Sequence, residues 1–543
     1  MATNTFDGII IGSGQHGLIL GSYLAKAGLN VLLVERRLKY GGGLSTEEVT
    51  LPGFYHNLHS INHWDLTGTP WYRDLGLSAK VPYVTPKVEF AQPHLDGTAL
   101  VFSRNLERTA ASIARFSKRD AETFREWNRK AEVITRQVFL HERFSEPRPK
   151  DERRDLLSRT PAGRDFLSLT EQQPLDVITK LFENERVKVF LLFKLSLFGT
   201  VLYDMIMDAS PTGSTLRAFD VEIGYDLCVG GSWNLARGLM ETFIGAGGTF
   251  INQAEVSRIV VQRGRATGIE LADGRSFRAR QFVASTVDVH QTFEGMVGRE
   301  QLPAAYREKV SKFHYTPWTL FGLHLALKEP PIYTSTKFDP NVNTALKYNI
   351  GSETMEDLLN VHKMVREKRV PTKIQVGSGA LTVIDPTQAP PGRHTAYAWH
   401  VLPYDPEGDP KVVDEIRETF ADQIVEKWRQ YAPNLTPENI LGRYIYTANE
   451  YTRHLINMRG GDIFMGAFTA DQVMYNNFGY RTPIRGLYMA GSAAHPGGAI
   501  SGGAGYVCAR IVCDDLGIKP WWKPMDARRA IERFNRSPAS RRS

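Results

Sequence analysis

At 543 residues, with 42% apolar and 23% charged side chains, the chain exceeds one compact core and should divide into at least two domains. Its net charge of +7 is carried almost wholly by residues 519–543, where Lys519, Lys523, Arg528, Arg529, Arg533, Arg536, Arg541 and Arg542 outnumber Asp526 and Glu532 by six; the nearly neutral body argues against a nucleic-acid groove. Three cysteines (Cys228, Cys508, Cys513) exclude a disulfide framework and fit a reducing, cytoplasmic setting, and the longest apolar stretch, Val189 to Tyr203, is broken by Lys194 and falls short of a membrane span.

Phe6 to Ile11 is a continuous apolar run, as expected of a strand buried on both faces of a parallel sheet, and is too short for a signal peptide. Gly12-Ser-Gly14-Gln15-His16-Gly17 follows at once, then a helical stretch, then a second apolar strand (Asn30 to Val34) ending at Glu35. This is the βαβ setting that the G-x-G-x-x-G motif requires. Gly12 makes the turn, Gly14 admits a pyrophosphate to the backbone, and Gly17 lets helix and strand pack closely. Gln15 and His16, within this loop ahead of the helical stretch from Leu18, are further candidates for cofactor contact. Glu35 is placed to accept from a ribose diol, which suits FAD or NAD better than NADP. Arg36-Arg37 and a second glycine loop, Gly41 to Gly43 running into Leu44 and Ser45, supply further backbone and charge to the same pyrophosphate. A plain NAD domain has no need of it, so FAD is favoured.

His56, His59 and His63 lie in an aromatic segment that reads as loop or strand, and no metal is expected there. Leu106 to Val138 carries helical spacing, His141 to Asp165 reads as an exposed charged linker, and Leu175 to Met207 is helical and unusually apolar. In that last stretch Phe190, Leu191, Phe193, Leu195, Leu197, Phe198, Val201 and Leu202 form a stripe suited either to helix packing or to a greasy substrate cavity. Further on, strands are expected at Trp318 to Ala326 and Thr395 to Leu402, with helices at Met355 to Lys368 and Val412 to Tyr431. Near the C-terminus a short strand (Leu487 to Ala490) runs into Gly491-Ser492-Ala-Ala-His495-Pro-Gly497-Gly498-Ala-Ile-Ser501-Gly502, and a helix is expected from about Ser501. Such a loop puts N–H groups and a helix dipole against an anion.

These motifs together resemble the phytoene-desaturase-related flavoproteins of the amine-oxidase-like FAD superfamily. Val229 to Leu239 (VGGSWNLARGL) is similar to that family's helix start, and the hairpin of Ala254 to Val261 and Thr267 to Gly274 is similar to its strands beside the FAD adenosine, which brings in Val256. Pro390 to Thr395 and Gly460 to Phe464 are closer to the branch of pyridine nucleotide-disulfide oxidoreductase domain-containing protein 2. The resemblance implies an α/β fold: a discontinuous Rossmann-type FAD-binding domain (1–85, 226–305, 440–518) and a mixed α+β substrate domain (86–225, 306–439), followed by a basic tail from 519. It implies FAD contacts from Gly491, Ser492, Gly497, Gly498, Ser501 and Gly502, with His59 and His63 beside the flavin and His495 close to its ring, the three histidines being the acid/base candidates.

The implied activity is hydride transfer between flavin and a C–H bond of a hydrophobic small molecule, with oxygen or a quinone as electron acceptor. An amine or amino-acid oxidase and a reduced-flavin alkene isomerase are the alternatives. The tail reads as an exposed terminus, with a peripheral membrane contact through Trp521-Trp522 and the adjoining basic cluster as the other reading.

Overall fold

The computed structural model describes residues 4–196, 216–221 and 223–541. Its first sheet is built where the sequence places apolar runs. Five parallel strands lie in the order Thr249–Ile251, Val31–Val34, Thr5–Ile11, Ser276–Ser285, Leu487–Met489. The hairpin of Val256–Gln262 and Arg265–Leu271 adds to Ser276–Ser285 antiparallel. Alternation explains why Ile9 to Ile11 and Val31 to Val34 are apolar on both faces. Ile10, Val31 and Leu33 enter one core with the helices Gln15–Lys26, Trp233–Gly245 and Gly503–Leu516, while Ile9, Ile11, Leu32 and Val34 enter a second core on the opposite face. Cys508 and Cys513 are buried in the first of these.

The second sheet runs Ile440–Tyr446, Trp318–Leu327, His394–Pro403, Val376–Gly379, Ala345–Ile350, Val88–Pro93, Ala99–Ser103, antiparallel except where Ala345–Ile350 meets Val88–Pro93. Ile440–Tyr446, on the cofactor side of the expected boundary at 440, is therefore hydrogen-bonded into this sheet. Along His394–Pro403, Ala396, Ala398 and Leu402 pack toward the helix Arg417–Tyr431, whereas Tyr397 and Trp399 point to the other face. That other face looks onto the cavity described below.

Two stretches differ from their expectation. His141 to Asp165 is not an exposed linker: it forms the helices Leu140–Arg143, Lys150–Ser158 and the start of Pro161–Thr170. Arg153 Nε donates to Glu142 Oε1 at 2.6 Å with both side chains buried, and Leu156 and Leu157 enter the core. Of the apolar stripe, Phe190, Leu191, Phe193 and Leu195 fill a core with Phe90, Phe102 and Phe124 and do not line the cavity; Leu197, Phe198, Val201 and Leu202 fall outside the described residues.

The C-terminal tail is docked. Trp521 stacks on Tyr23 of the first helix, its Nε1 donating to the Tyr23 carbonyl at 3.0 Å, and Trp522 is buried beside it. Helix Ala527–Arg536 then places Ala527, Ala530, Ile531 and Phe534 inward and its arginines outward, so the charge that made the segment look like a solvated terminus is one face of an amphipathic helix. Phe534→Ala, which empties a fully buried site, should destabilise the protein by about 3–5 kcal/mol in urea unfolding. An unchanged midpoint would mean that the tail is not part of the cooperative fold.

Candidate functional site

The first strand delivers Gly12 at φ +96°, a conformation that L side chains rarely adopt. Gly17 is required by close approach: a Cβ there would lie 2.0 Å from the Gly12 carbonyl oxygen. At Gly14, the N-cap of Gln15–Lys26, a Cβ would meet nothing within 4 Å, and no side chain caps the helix. The second glycine loop crosses directly over this turn. Gly41 N–H donates to the Ser13 carbonyl at 3.0 Å, and a Cβ on Gly42 (φ +57°) would come within 3.1 Å of Gly14 Cα. Glu35 is fixed at the end of the second strand. Its Oε2 accepts from Ser13 N–H at 3.0 Å and Ser13 Oγ at 2.8 Å, and its Oε1 from Arg37 N–H at 2.9 Å.

These groups open onto a cavity of about 500 Å³ between the two sheets. Of the residues expected from sequence, Gly12, Gly14, Gln15, His16, Glu35, Arg36, Gly42, Gly43, His59, His63, Val256 and Ser492 line it. Gly17, Leu44, Ser45, Gly491, Gly497, Gly498, Ser501, Gly502 and His495 do not. Leu44 and Ser45 are buried just behind the loop.

The terminal glycine loop serves differently from its expectation. It reaches the cavity through Ser492, Ala499 and Ile500. The first N–H groups of its helix are already satisfied by protein: Gly502 by Gln15 Oε1 at 3.1 Å, Gly503 by Ser501 Oγ at 3.2 Å, and Gly505 by His16 Nδ1 at 3.4 Å. Gln15 Nε2 returns a bond to the Ala499 carbonyl at 2.5 Å, so the two ends of the chain are stitched to each other. Glycine is needed here mainly because neighbours approach closely. A Cβ would lie 2.5 Å from the Thr286 carbonyl at Gly491, 2.3 Å from Phe468 at Gly497 and 2.3 Å from the Phe464 carbonyl at Gly498.

His495 faces away from the main cavity. Its Nε2 donates to the Glu142 carbonyl at 2.8 Å, and burial pulls its pKa down to about 4. Its position in the loop suggests the flavin ring, but the loop turns it back onto the 140–144 segment. His59 and His63 do reach the cavity. His59 Nε2 lies 3.3 Å from the Tyr446 hydroxyl and His63 Nδ1 2.7 Å from the Tyr83 hydroxyl; burial takes both pKa values down to about 3.

Much of the remaining wall was not foreseen from sequence, Trp64, Tyr225, Trp399, Lys347 and Arg143 among it. Trp64 and Tyr225 are paired across a short antiparallel ladder. Arg143 is 2% exposed and lies over the Trp64 ring at 4.8 Å, with Nη1 3.8 Å from Asp65 Oδ2. Burial pulls its pKa down to about 10 and pushes that of Asp65 up to about 6. Nothing local marks Arg143 in the sequence: it follows Glu142 directly, in a stretch that mixes charged and aromatic residues.

A family profile described as an NAD(P)-binding Rossmann-like domain matches residues 10–75. A limonene dehydrogenase polypeptide of Castellaniella defragrans is 32% identical, the alignment covering 96% of this chain and 96% of that protein. The chain belongs to the phytoene desaturase-related family of FAD-dependent oxidoreductases. Pyridine nucleotide-disulfide oxidoreductase domain-containing protein 2 of Mus musculus is 26% identical over 94% of each chain. A lycopene-forming phytoene desaturase of a Paracoccus species is 24% identical over 94% of this chain and 97% of its own.

The cavity walls fit the family's cofactor. They offer an uncapped helix N-terminus, a cradle at Gly14 that a Cβ would fill, and a carboxylate at the end of the second strand. They also carry buried polar atoms without a partner, His16 Nε2, His59 Nδ1 and Asn62 Nδ2 among them, which an FAD could satisfy. Among the described residues no helix is long and apolar enough to cross a membrane.

Proposed function

We propose that Gly12, Gly14, Glu35, Arg36, Gly42, Gly43 and Val256 hold FAD along one wall of the cavity, and that the facing wall holds a hydrophobic small molecule from which a C–H hydride is taken, as in a dehydrogenase or desaturase. The observation that carries this reading is the continuity of the cavity: one space joins the fingerprint loops to the aromatic face of the second sheet. Bound FAD supplies a two-electron hydride acceptor. The chain's own task is binding, orientation and exclusion of water. Ile61, Trp64, Trp399, Ile463, Phe464 and Phe468 make the facing wall apolar. His59 and His63, held neutral by burial, act as hydrogen-bonding groups near neutral pH.

Loss of a hydride from one carbon and a proton from its neighbour would form a C=C bond, the proton leaving to solvent and the electron pair passing through bound FAD to oxygen or a quinone as the final acceptor. The outward row Arg528, Arg529, Arg533 and Arg536 supports peripheral contact with an anionic membrane that would deliver such a substrate. Anaerobic addition of a cyclic monoterpene hydrocarbon such as limonene, the substrate in a relative's name, should bleach the visible flavin absorption. Product without net bleaching would instead select an isomerase, and peroxide on aeration an oxidase. Protein purified without any flavin would sink the reading.

A further inference from the structure

Arg143 is the buried group that the proposed function leaves unexplained. Its Nε and Nη1 have no hydrogen-bond partner, although the side chain is 2% exposed and lines the cavity. Asp65 stands at ion-pair distance without bonding to it, and the Asp65 Oδ2 is itself without a hydrogen-bond partner. The neighbouring carboxylate of Asp226 is taken by Arg104 Nη2 at 3.0 Å and by Thr85 Oγ1 at 2.9 Å. A guanidinium buried with open N–H groups is costly unless something in the cavity bonds to it. A hydrocarbon cannot.

A second cation shares the same surface. Lys347, on Ala345–Ile350 of the second sheet, places Nζ 3.3 Å from the centre of the Tyr225 ring, and Tyr225 is the cross-strand partner of Trp64, over which Arg143 lies. Two cations thus lie against one aromatic pair, Arg143 over Trp64 and Lys347 over Tyr225. Asn62, whose Nδ2 is also unpartnered, lines the same cavity. Planar guanidinium donors with an added ammonium and an amide N–H make a receptor for a carboxylate.

We propose that the Trp64–Tyr225 end of the cavity is a carboxylate subsite, so that the preferred substrate is an apolar molecule bearing one acid group, held by Arg143 with Lys347 assisting, and a plain hydrocarbon is a weaker one. The acid anchors one end of the molecule, and the register of the apolar remainder selects which C–H bond faces the flavin. This rests on the cavity holding flavin and substrate together, as proposed above.

The test uses the FAD-loaded enzyme with decanoate and decan-1-ol as probes, followed by calorimetry and by difference spectra of the bound flavin. Wild type should bind decanoate at least about tenfold more tightly than decan-1-ol, as a charge-assisted hydrogen bond requires. Arg143→Gln should remove that preference while leaving decan-1-ol affinity within about twofold, Arg143→Lys should restore part of it, and Lys347→Met should weaken decanoate alone. Equal affinities in wild type, or equal loss of both probes in Arg143→Gln, would overturn the proposal. So would an Arg143→Gln protein that has lost its flavin, since the guanidinium would then serve the cofactor. Calorimetry reads binding whether or not the flavin is reduced, so a decanoate preference in an enzyme that no substrate bleaches would sink the redox reading and leave the subsite standing.

Discussion

Gly14→Ala should yield a protein that folds as well as wild type and holds FAD at least about a hundredfold more weakly, a loss on the order of 3 kcal/mol of binding energy. The separation of effects follows from the geometry. Gly14 has φ −65° and ψ 176°, which any L residue adopts, and its Cβ would meet no protein atom within 4 Å. The methyl group enters only the space where a pyrophosphate must approach the backbone. Gly17→Ala is the contrasting variant. Its Cβ would sit 2.0 Å from the Gly12 carbonyl oxygen, so helix and strand must separate at a cost of about 1–3 kcal/mol before any ligand is considered. Apo-protein melting should therefore be unchanged in the first variant and lowered in the second. Flavin retained on gel filtration at wild-type occupancy by Gly14→Ala would mean that the cofactor does not use this cradle.

That contrast shows which parts of the site are legible in sequence. The fingerprint is readable because its physics is local: a buried strand, a turn at positive φ, a helix start and an acidic strand end within about thirty residues. The terminal loop is half readable. Glycine spacing announces close approach, but it does not say what approaches, and the neighbours here are Thr286, Phe464 and Phe468 together with a ligand-facing rim at Ser492, Ala499 and Ile500.

Arg143 is not readable, because the groups that bury it, Trp64, Asp65 and the Tyr225 ladder, are about eighty residues away on either side of it. For the same reason the 141–165 segment looks like a linker. Nothing local tells an ion pair such as Glu142–Arg153, buried between helices, from solvated charge. His495 fails in the opposite sense: its place in a glycine loop is plain in the sequence, but its side chain's direction is set by the tertiary contact with Glu142.

The number of histidines held neutral by burial makes loss of stability below neutral pH the largest solution effect expected of this fold. Burial lowers the pKa of His16, His324, His400 and His495 to about 4 and that of His59, His63 and His362 to about 3. Each folded-state value lies below the unfolded 6.5, so between the two the unfolded chain binds more protons and stability falls as pH falls. At pH 5 each of these groups costs about 2 kcal/mol, and a domain has only about 5–15 kcal/mol to lose. Asp65, Asp220 and Asp462 act the other way: burial raises each carboxyl above its unfolded value, that of Asp65 to about 6, so protonating them on the way down returns some stability, but they are three groups against seven.

Urea midpoints measured by circular dichroism should therefore be steady from pH 8 to 7, fall below pH 6.5, and vanish with loss of cooperative structure near pH 5. Bound FAD should shift the whole profile upward without changing its direction. His324→Phe gives the residue-level check. Neither ring nitrogen of His324 has a partner and it lies outside the cavity, so the variant should shed about one proton's worth of the acid slope while leaving flavin content unchanged. Midpoints that stay level from pH 7.5 to 5 would show that these imidazoles are hydrated in solution, and would remove burial as the reason His59 and His63 are neutral in the site.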